Sequence, residues 1–242
     1  MQSWGITDVG CVRQQNQDTY RMEQLDKNVL LCVVCDGVGG AKSGNIASTL
    51  ASDVLVQEMK ATWRNGLDYV EAGELLRKAM KVANFTVYDQ AKEVPDFDGM
   101  ATTMVAALLQ PGQAAVLNVG DSRAYHIGEH GIRQVTVDHS MVQMMVSRGD
   151  MTAEEARNNP GKNLITRAIG AEPAVMGDLF RVDMQKDDCL LLCSDGLSNL
   201  VDEQEILFEI VHGDRQGCCQ RLLAIAQNRG APDNVTCVLA QV

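Results

Sequence analysis

The chain has 242 residues, 45% of them hydrophobic, and carries a formal net charge of −11. Such a length and apolar content suffice for a sizeable buried core, whereas the acidic balance repels nucleic acid and anionic membrane and favours cations. No stretch approaches the ~20 apolar residues of a membrane span, and the opening MQSWGITDVG has neither the basic start nor the apolar core of a secretion signal, so the expectation is a cytoplasmic, monomeric protein with no membrane or nucleic-acid partner.

In chain order, GITDVGCVRQQNQDTYRMEQ reads as strand, turn and strand, and a turn around Asp26 to Asn28 leads into the apolar run 29 to 35, giving a meander. Ser43 to Lys60 and Asp68 to Gln90 carry apolar residues at helical spacing and predict two long amphipathic helices. A second meander follows: Gly99 to Leu109, Ala114 to Val119 and Arg123 to Ile127, separated by Pro-Gly and Gly-Asp-Ser turns. From His139 to Asn159 the pattern is helical, with Thr152 and Glu155 forming a capping box, and it stops at Asn-Pro-Gly. Strands near Leu179 to Val182 and Cys189 to Ser194, helices at Asp202 to Val211 and Gly217 to Asn228, and a last strand at Val235 to Val242 complete the order. Strands and helices come in blocks rather than in alternation, which predicts an α+β protein built from antiparallel sheets with helices packed outside. No linker interrupts the chain, so 1 to 242 is expected to be one domain, with about 138 to 170 as a flap-like excursion.

Asp36, Asp121, Asp195 and Asp233 each lie against an apolar strand-like run, namely LLCVVCDG, AVLNVGD, CLLLCSDG and PDNVTCVL, and each adjoins a glycine or asparagine suited to a tight turn. Single Asp-Gly pairs are ordinary turn formers. Four carboxylates beside buried strands are another matter, because an unpaired buried charge costs several kcal/mol and a hard, oxygen-preferring cation is the natural partner of several together. The eight cysteines sit mostly within apolar runs and read as small core residues; Cys32 and Cys35, three apart on a strand, must face opposite sides and can share neither an ion nor a disulfide. Cys218 and Cys219 have no zinc partners at suitable spacing. The histidines form no metal-binding or catalytic motif. The cluster DGVGGAKSG fails as a phosphate loop or a dinucleotide fingerprint, since Ala41, Asp36 and Lys42 stand where glycines are needed; it reads as a turn that lets backbone approach whatever Asp36 binds, with Ser43 leading into the next helix.

TDVGCVRQQNQD, CDGVGGAKSG, GMATTMVAALL, NVGDSRAY, DHSMVQMMVSRGDMTAEEA, NLITRAIG, LLLCSDGLSNLV and APDNVTCVL follow one another from end to end. In that order they resemble the bacterial type-2C, metal-dependent protein serine/threonine phosphatases. The resemblance implies a four-layer α-β-β-α sandwich, two antiparallel sheets flanked by helices, with two Mn²⁺ or Mg²⁺ ions in a site at one end and a third, weaker ion beside them. It implies Asp36 as the bridging ligand, Gly37 as a backbone-carbonyl ligand, and Asp195 and Asp233 on the first metal. Asp121 with Asp195 holds the third ion, Asp18 orients metal-bound water, and Arg13 grips the substrate phosphate. The implied reaction is hydrolysis of phosphoserine and phosphothreonine in proteins by in-line attack of the bridging water. The partners would be phosphorylated proteins, including a serine/threonine kinase that the enzyme opposes. A pseudophosphatase that keeps the fold as a binding module is the alternative. Three positions depart from the family pattern: Val38 stands where animal members carry a histidine proposed as general acid, Asn159 where the flap often has histidine, and Gln17 where glutamate is commoner.

Overall fold

The computed structural model describes residues 1–38 and 40–242, and the side chains of these other than those of 40–42. The first meander is β1 (Gln2–Asp8), β2 (Asp18–Asp26) and β3 (Val29–Val38), followed by the helices α1 (Gly40–Thr62) and α2 (Tyr69–Glu93). After a 3₁₀ turn at Pro95–Phe97 come β4 (Ala101–Thr102), β5 (Met104–Gln110), β6 (Gln113–Val119), β7 (Arg123–Gly128) and β8 (Gly131–Gln134). Two short helices, α3 (Met141–Arg148) and α4 (Ala153–Arg157), precede β9 (Asp178–Asp183) and β10 (Cys189–Cys193). A single turn of helix, α5 (Asp195–Ser198), then α6 (Glu203–His212), α7 (Cys218–Asn228) and β11 (Val235–Gln241) complete the chain.

All the strand pairings are antiparallel and fall into two sheets. One has the order β1-β11-β10-β7-β8; the other has β2-β3-β5-β6-β9, with β4 beside β3. Buried side chains fill three successive layers. Leu31, Val33 and Cys35 of β3 point towards α1 and α2 with Leu55 and Met80. Leu30, Cys32 and Val34 point the other way and meet Leu190, Leu192 and Val238 between the sheets. Leu191, Cys193, Cys237 and Leu239 turn outward onto α5, α6 and α7. The strand period of two thus sorts one apolar run into two cores, and Cys32 and Cys35 lie on opposite faces as expected.

Where the structure departs from the sequence reading, a polar contact explains it. The strand expected over Gly99 to Leu109 is broken at Thr103, whose N–H donates to the Asp36 carbonyl at 2.8 Å and whose hydroxyl accepts from Asp36 N–H at 3.0 Å. The helical stretch from His139 is two helices, separated by a left-handed Gly149 (φ 79°) that closes α3. The capping box at Thr152 and Glu155 is present, and Asp68 with Glu71 and Asp202 with Glu205 form two more. Helix α1 starts at Gly40, so Ser43 lies inside it rather than ahead of it. The turn expected of DGVGGAKSG falls partly on Gly39, outside the described residues. Strand β8 and helix α5 were not anticipated, one being four residues of a hairpin and the other a single turn.

Candidate metal centre

The acids are delivered by strand ends. Asp18 opens β2 and Asp36 lies near the end of β3, where the two are direct partners in the ladder; their side chains therefore stand on the same face, with Cβ atoms ~5 Å apart as in any such pair. Asp121 sits in the turn after β6, Asp195 is the first residue of α5 after β10, and Asp233 lies two residues ahead of β11. Burial pushes the Asp36 carboxyl well above the ordinary carboxylate range, and the nearby charges of Asp18, Asp195, Asp121 and Asp233 push it further. Asp195 is raised by burial and by Asp233, with Asp36, Arg123 and Lys162 pulling it back. Asp18 is pushed up to about 6, mainly by burial and against the hydroxyls of Thr236 and Ser194. Asp121 rises to about 7 through burial and the charges of Asp195 and Asp138. Five acids from five segments therefore share one electrostatic neighbourhood.

Close main-chain approach holds the segments together. A Cβ on Gly196 would lie 1.9 Å from the Asn234 carbonyl oxygen, so only glycine lets the Asp195 turn pack on the Asp233 segment. Gly37 is equally confined: its N–H donates to the Gln17 carbonyl at 3.1 Å, and a Cβ there would meet the Gly44 oxygen at 2.3 Å. Ser194 donates to Asp18 Oδ2 at 2.7 Å and accepts from Thr236 N–H at 3.0 Å. Asp36 is anchored by Thr103, whose hydroxyl meets that of Ser122 at 2.7 Å. Sequence reasoning missed Ser194, Thr236, Thr103 and Asn234, whose roles depend on partners far along the chain.

Arg13 lies on the loop between β1 and β2, and its guanidinium donates to Asp233 Oδ2 at 2.8 Å. With its side chain 53% exposed, it is both a counter-charge to the acids and accessible from solvent. Asn159 is taken up locally: its Oδ1 accepts from Gly161 N–H at 2.8 Å in the turn that ends the flap helices. A cleft of about 830 Å³ runs outward from Asp121 and Asp195 between α3 and α4 on one side and α5 and α6 on the other, with Arg157 and Lys162 on the flap wall and Asp202 and Glu203 opposite.

The donor set suits a hard divalent cation. It is entirely oxygen, and burial followed by mutual repulsion raises the carboxyls of Asp18, Asp36, Asp121 and Asp195 above their ordinary range; in addition, Asp18 Oδ1 is buried with no hydrogen-bond partner. An ion among them would supply the missing attraction. Among the described residues no three His, Cys, Asp or Glu side chains close into a ready-made cage, in keeping with ligands that share the coordination sphere with water.

A two-sheet α-β-β-α sandwich with a buried acid cluster at one end defines a class of metal-using hydrolases in which chemistry sits at the strand ends. The family model for protein phosphatase 2C matches residues 12–233, and the chain belongs to that metal-dependent family. It is 36% identical to the serine/threonine phosphatase stp of Listeria monocytogenes over 240 residues, 97% of this chain and 93% of the relative. It is 34% identical to the serine/threonine protein phosphatase PstP of Mycobacterium tuberculosis over 98% of this chain and 44% of that longer protein. The crystal structure of serine/threonine phosphatase Stp1 from Staphylococcus aureus superposes with a TM-score of 0.92 at 37% identity, covering 99% of this chain and 94% of that one.

Proposed function

We propose that the protein hydrolyses phosphoserine and phosphothreonine in protein substrates with the help of two Mn²⁺ or Mg²⁺ ions. The observation that carries this reading is the cluster of Asp18, Asp36, Asp121 and Asp195 with the partly exposed Asp233, within a chain that aligns with serine/threonine phosphatases over nearly its whole length. Phosphate-monoester hydrolysis is among the slowest uncatalysed reactions, and bound divalent ions supply both a nucleophile at neutral pH and charge neutralisation at the phosphoryl oxygens.

The chain's own residues then have simple tasks. Asp36, Asp195, Asp233 and the Gly37 carbonyl would hold the ions, and Asp121 with Asp195 a third. Asp18, fixed by Ser194, would accept a proton from attacking water and orient it. Arg13 would grip two oxygens of the substrate phosphate, a task for which a planar, permanently charged fork suits better than lysine. The flap, about 138 to 170, would cover the cleft within a single-domain, monomeric, cytoplasmic enzyme that opposes a serine/threonine kinase. No helix is long and apolar enough to cross a membrane among the described residues.

The test is phosphate release from a phosphothreonine peptide with Mn²⁺, with and without EDTA. Release that depends on the metal is the expected result. A protein that binds the peptide and Mn²⁺ but never releases phosphate would be a pseudophosphatase.

A further inference from the structure

Asn234 follows Asp233 directly and is 5% exposed; its backbone N–H donates to Asp233 Oδ1 at 2.9 Å, but its side-chain amide is turned to the loop that carries Arg13. Its Nδ2 donates to the carbonyl oxygens of Val9 at 2.9 Å and Gln15 at 3.0 Å. Its Oδ1 accepts from Gln17 N–H at 2.9 Å. Two carbonyls on one side and an N–H on the other leave only one amide orientation that satisfies all three bonds. The three partners bracket residues 9 to 17, the loop that carries Arg13, at its start and at its end. The stretch around Arg13 itself is lightly held: residues 11 to 15 are exposed and no regular element spans 9 to 17; the other ties of the loop include Gly10 N–H to Asp8 Oδ1 at 2.8 Å, Cys11 N–H to the Ala231 carbonyl at 2.8 Å, the Arg13 pair with Asp233, Asn16 Nδ2 to the Thr7 hydroxyl at 2.8 Å, and the Gln17 carbonyl, which accepts from Gly37 N–H and the Ser48 hydroxyl.

We infer that Asn234 is a positioning residue for substrate, setting the place of Arg13 by clamping both ends of its loop. The inference rests on the reading of Arg13 as the phosphate grip. An exposed arginine has many rotamers and binds phosphate with two oxygens only if its backbone is fixed; the clamp fixes it from the segment that also carries Asp233, so substrate grip and acid cluster share one reference frame. Asparagine is required because aspartate in its place would turn an acceptor towards the Val9 and Gln15 carbonyls, leaving buried acceptors facing one another.

The experiment compares Asn234→Asp and Asn234→Ser with wild type and Arg13→Ala. The expected result for Asn234→Asp is a KM for phosphothreonine peptide and a Ki for inorganic phosphate each raised about tenfold, with kcat falling less, as expected when ground-state binding is lost. Combined with Arg13→Ala, it should add less than about twofold, since two residues acting through one contact are not additive. Asn234→Ser, which keeps one donor, should give an intermediate rise. In metal-free protein, hydrogen exchange over residues 9 to 17 should quicken in Asn234→Asp while exchange in β10 is unchanged. A full tenfold loss on top of Arg13→Ala, unchanged exchange in the loop, or failure of both variants to fold would overturn the inference. If instead the Asn234 variants behave as expected in exchange while wild-type and Arg13→Ala proteins bind phosphate equally, it is the reading of Arg13 that falls.

Discussion

Asp18 and Asp36 are direct partners across the β2–β3 ladder, two carboxyls on one face whose affinity for protons is raised chiefly by burial. Each holds its proton more tightly folded than unfolded, so the folded state binds more protons than the unfolded one wherever pH exceeds the ordinary carboxylate value. Stability from these groups is therefore undiminished below about pH 4 and is lost as pH rises through their raised values, Asp18's being about 6. Asp36→Asn removes one of the charges. The metal-free variant should melt at least ~3 °C above metal-free wild type at pH 7.5, and the gap should shrink at pH 5; calorimetry at both values, after chelation, checks it. A variant that melts below wild type at pH 7.5 would show that these acids do not strain the fold.

Removing either Asp36 or Asp195 should also cripple turnover. Asp36→Ala and Asp195→Ala are each expected to lower kcat by at least ~10³-fold, since each would remove a proposed metal ligand. Titration calorimetry with Mn²⁺ should show the loss of tight binding in parallel. Near wild-type rates in either variant would mean that the ions bind elsewhere.

Arg13 and Asp233 pair in a partly exposed position, with side chains 53% and 31% exposed, where an ion pair is worth ~1 kcal/mol or less. Arg13→Ala should therefore leave the melting temperature within ~2 °C of wild type, raise KM for phosphopeptide and weaken inhibition by phosphate. Normal phosphate inhibition in that variant would remove Arg13 from the substrate site.

Asp121 is raised to about 7 by burial and by its acidic neighbours Asp195 and Asp138. Its replacement by alanine leaves Asp36, Asp195 and Asp233 in place, so two Mn²⁺ should still bind while turnover slows. The loss is expected to be greater for phosphothreonine peptide than for p-nitrophenyl phosphate, whose leaving group needs little protonation. Equal losses on both substrates would assign Asp121 to assembly of the core site.

Much of this architecture was legible in local pattern. The run 29 to 35 announced a strand buried on both faces, the spacing over 43 to 60 and 68 to 90 announced helices, and the Thr152 box marked a helix start. Asp36, Asp121, Asp195 and Asp233 stood out because carboxylates beside apolar strands need a reason. What could not be read locally depends on partners far along the chain. Ser194 meets Asp18 across 176 residues and Asn234 meets Val9 across 225; neither has a local signature, because serine and asparagine beside a turn look the same whether they clamp a loop or face water. The break at Thr103 has the same origin, the Asp36 N–H being diverted from the ladder to the Thr103 hydroxyl.

Strand β11 runs between β1 and β10 in the middle of its sheet and starts just after Asp233 and Asn234. While a ribosome is still making the residues before 233, the nascent chain has no strand between β1 and β10 for them to pair with, lacks one proposed ligand, and lacks the Asn234 bonds to the Arg13 loop. A chain cut short before residue 233 would therefore lack both the strand that joins β1 to β10 and the Asn234 contacts that reach residues 9, 15 and 17.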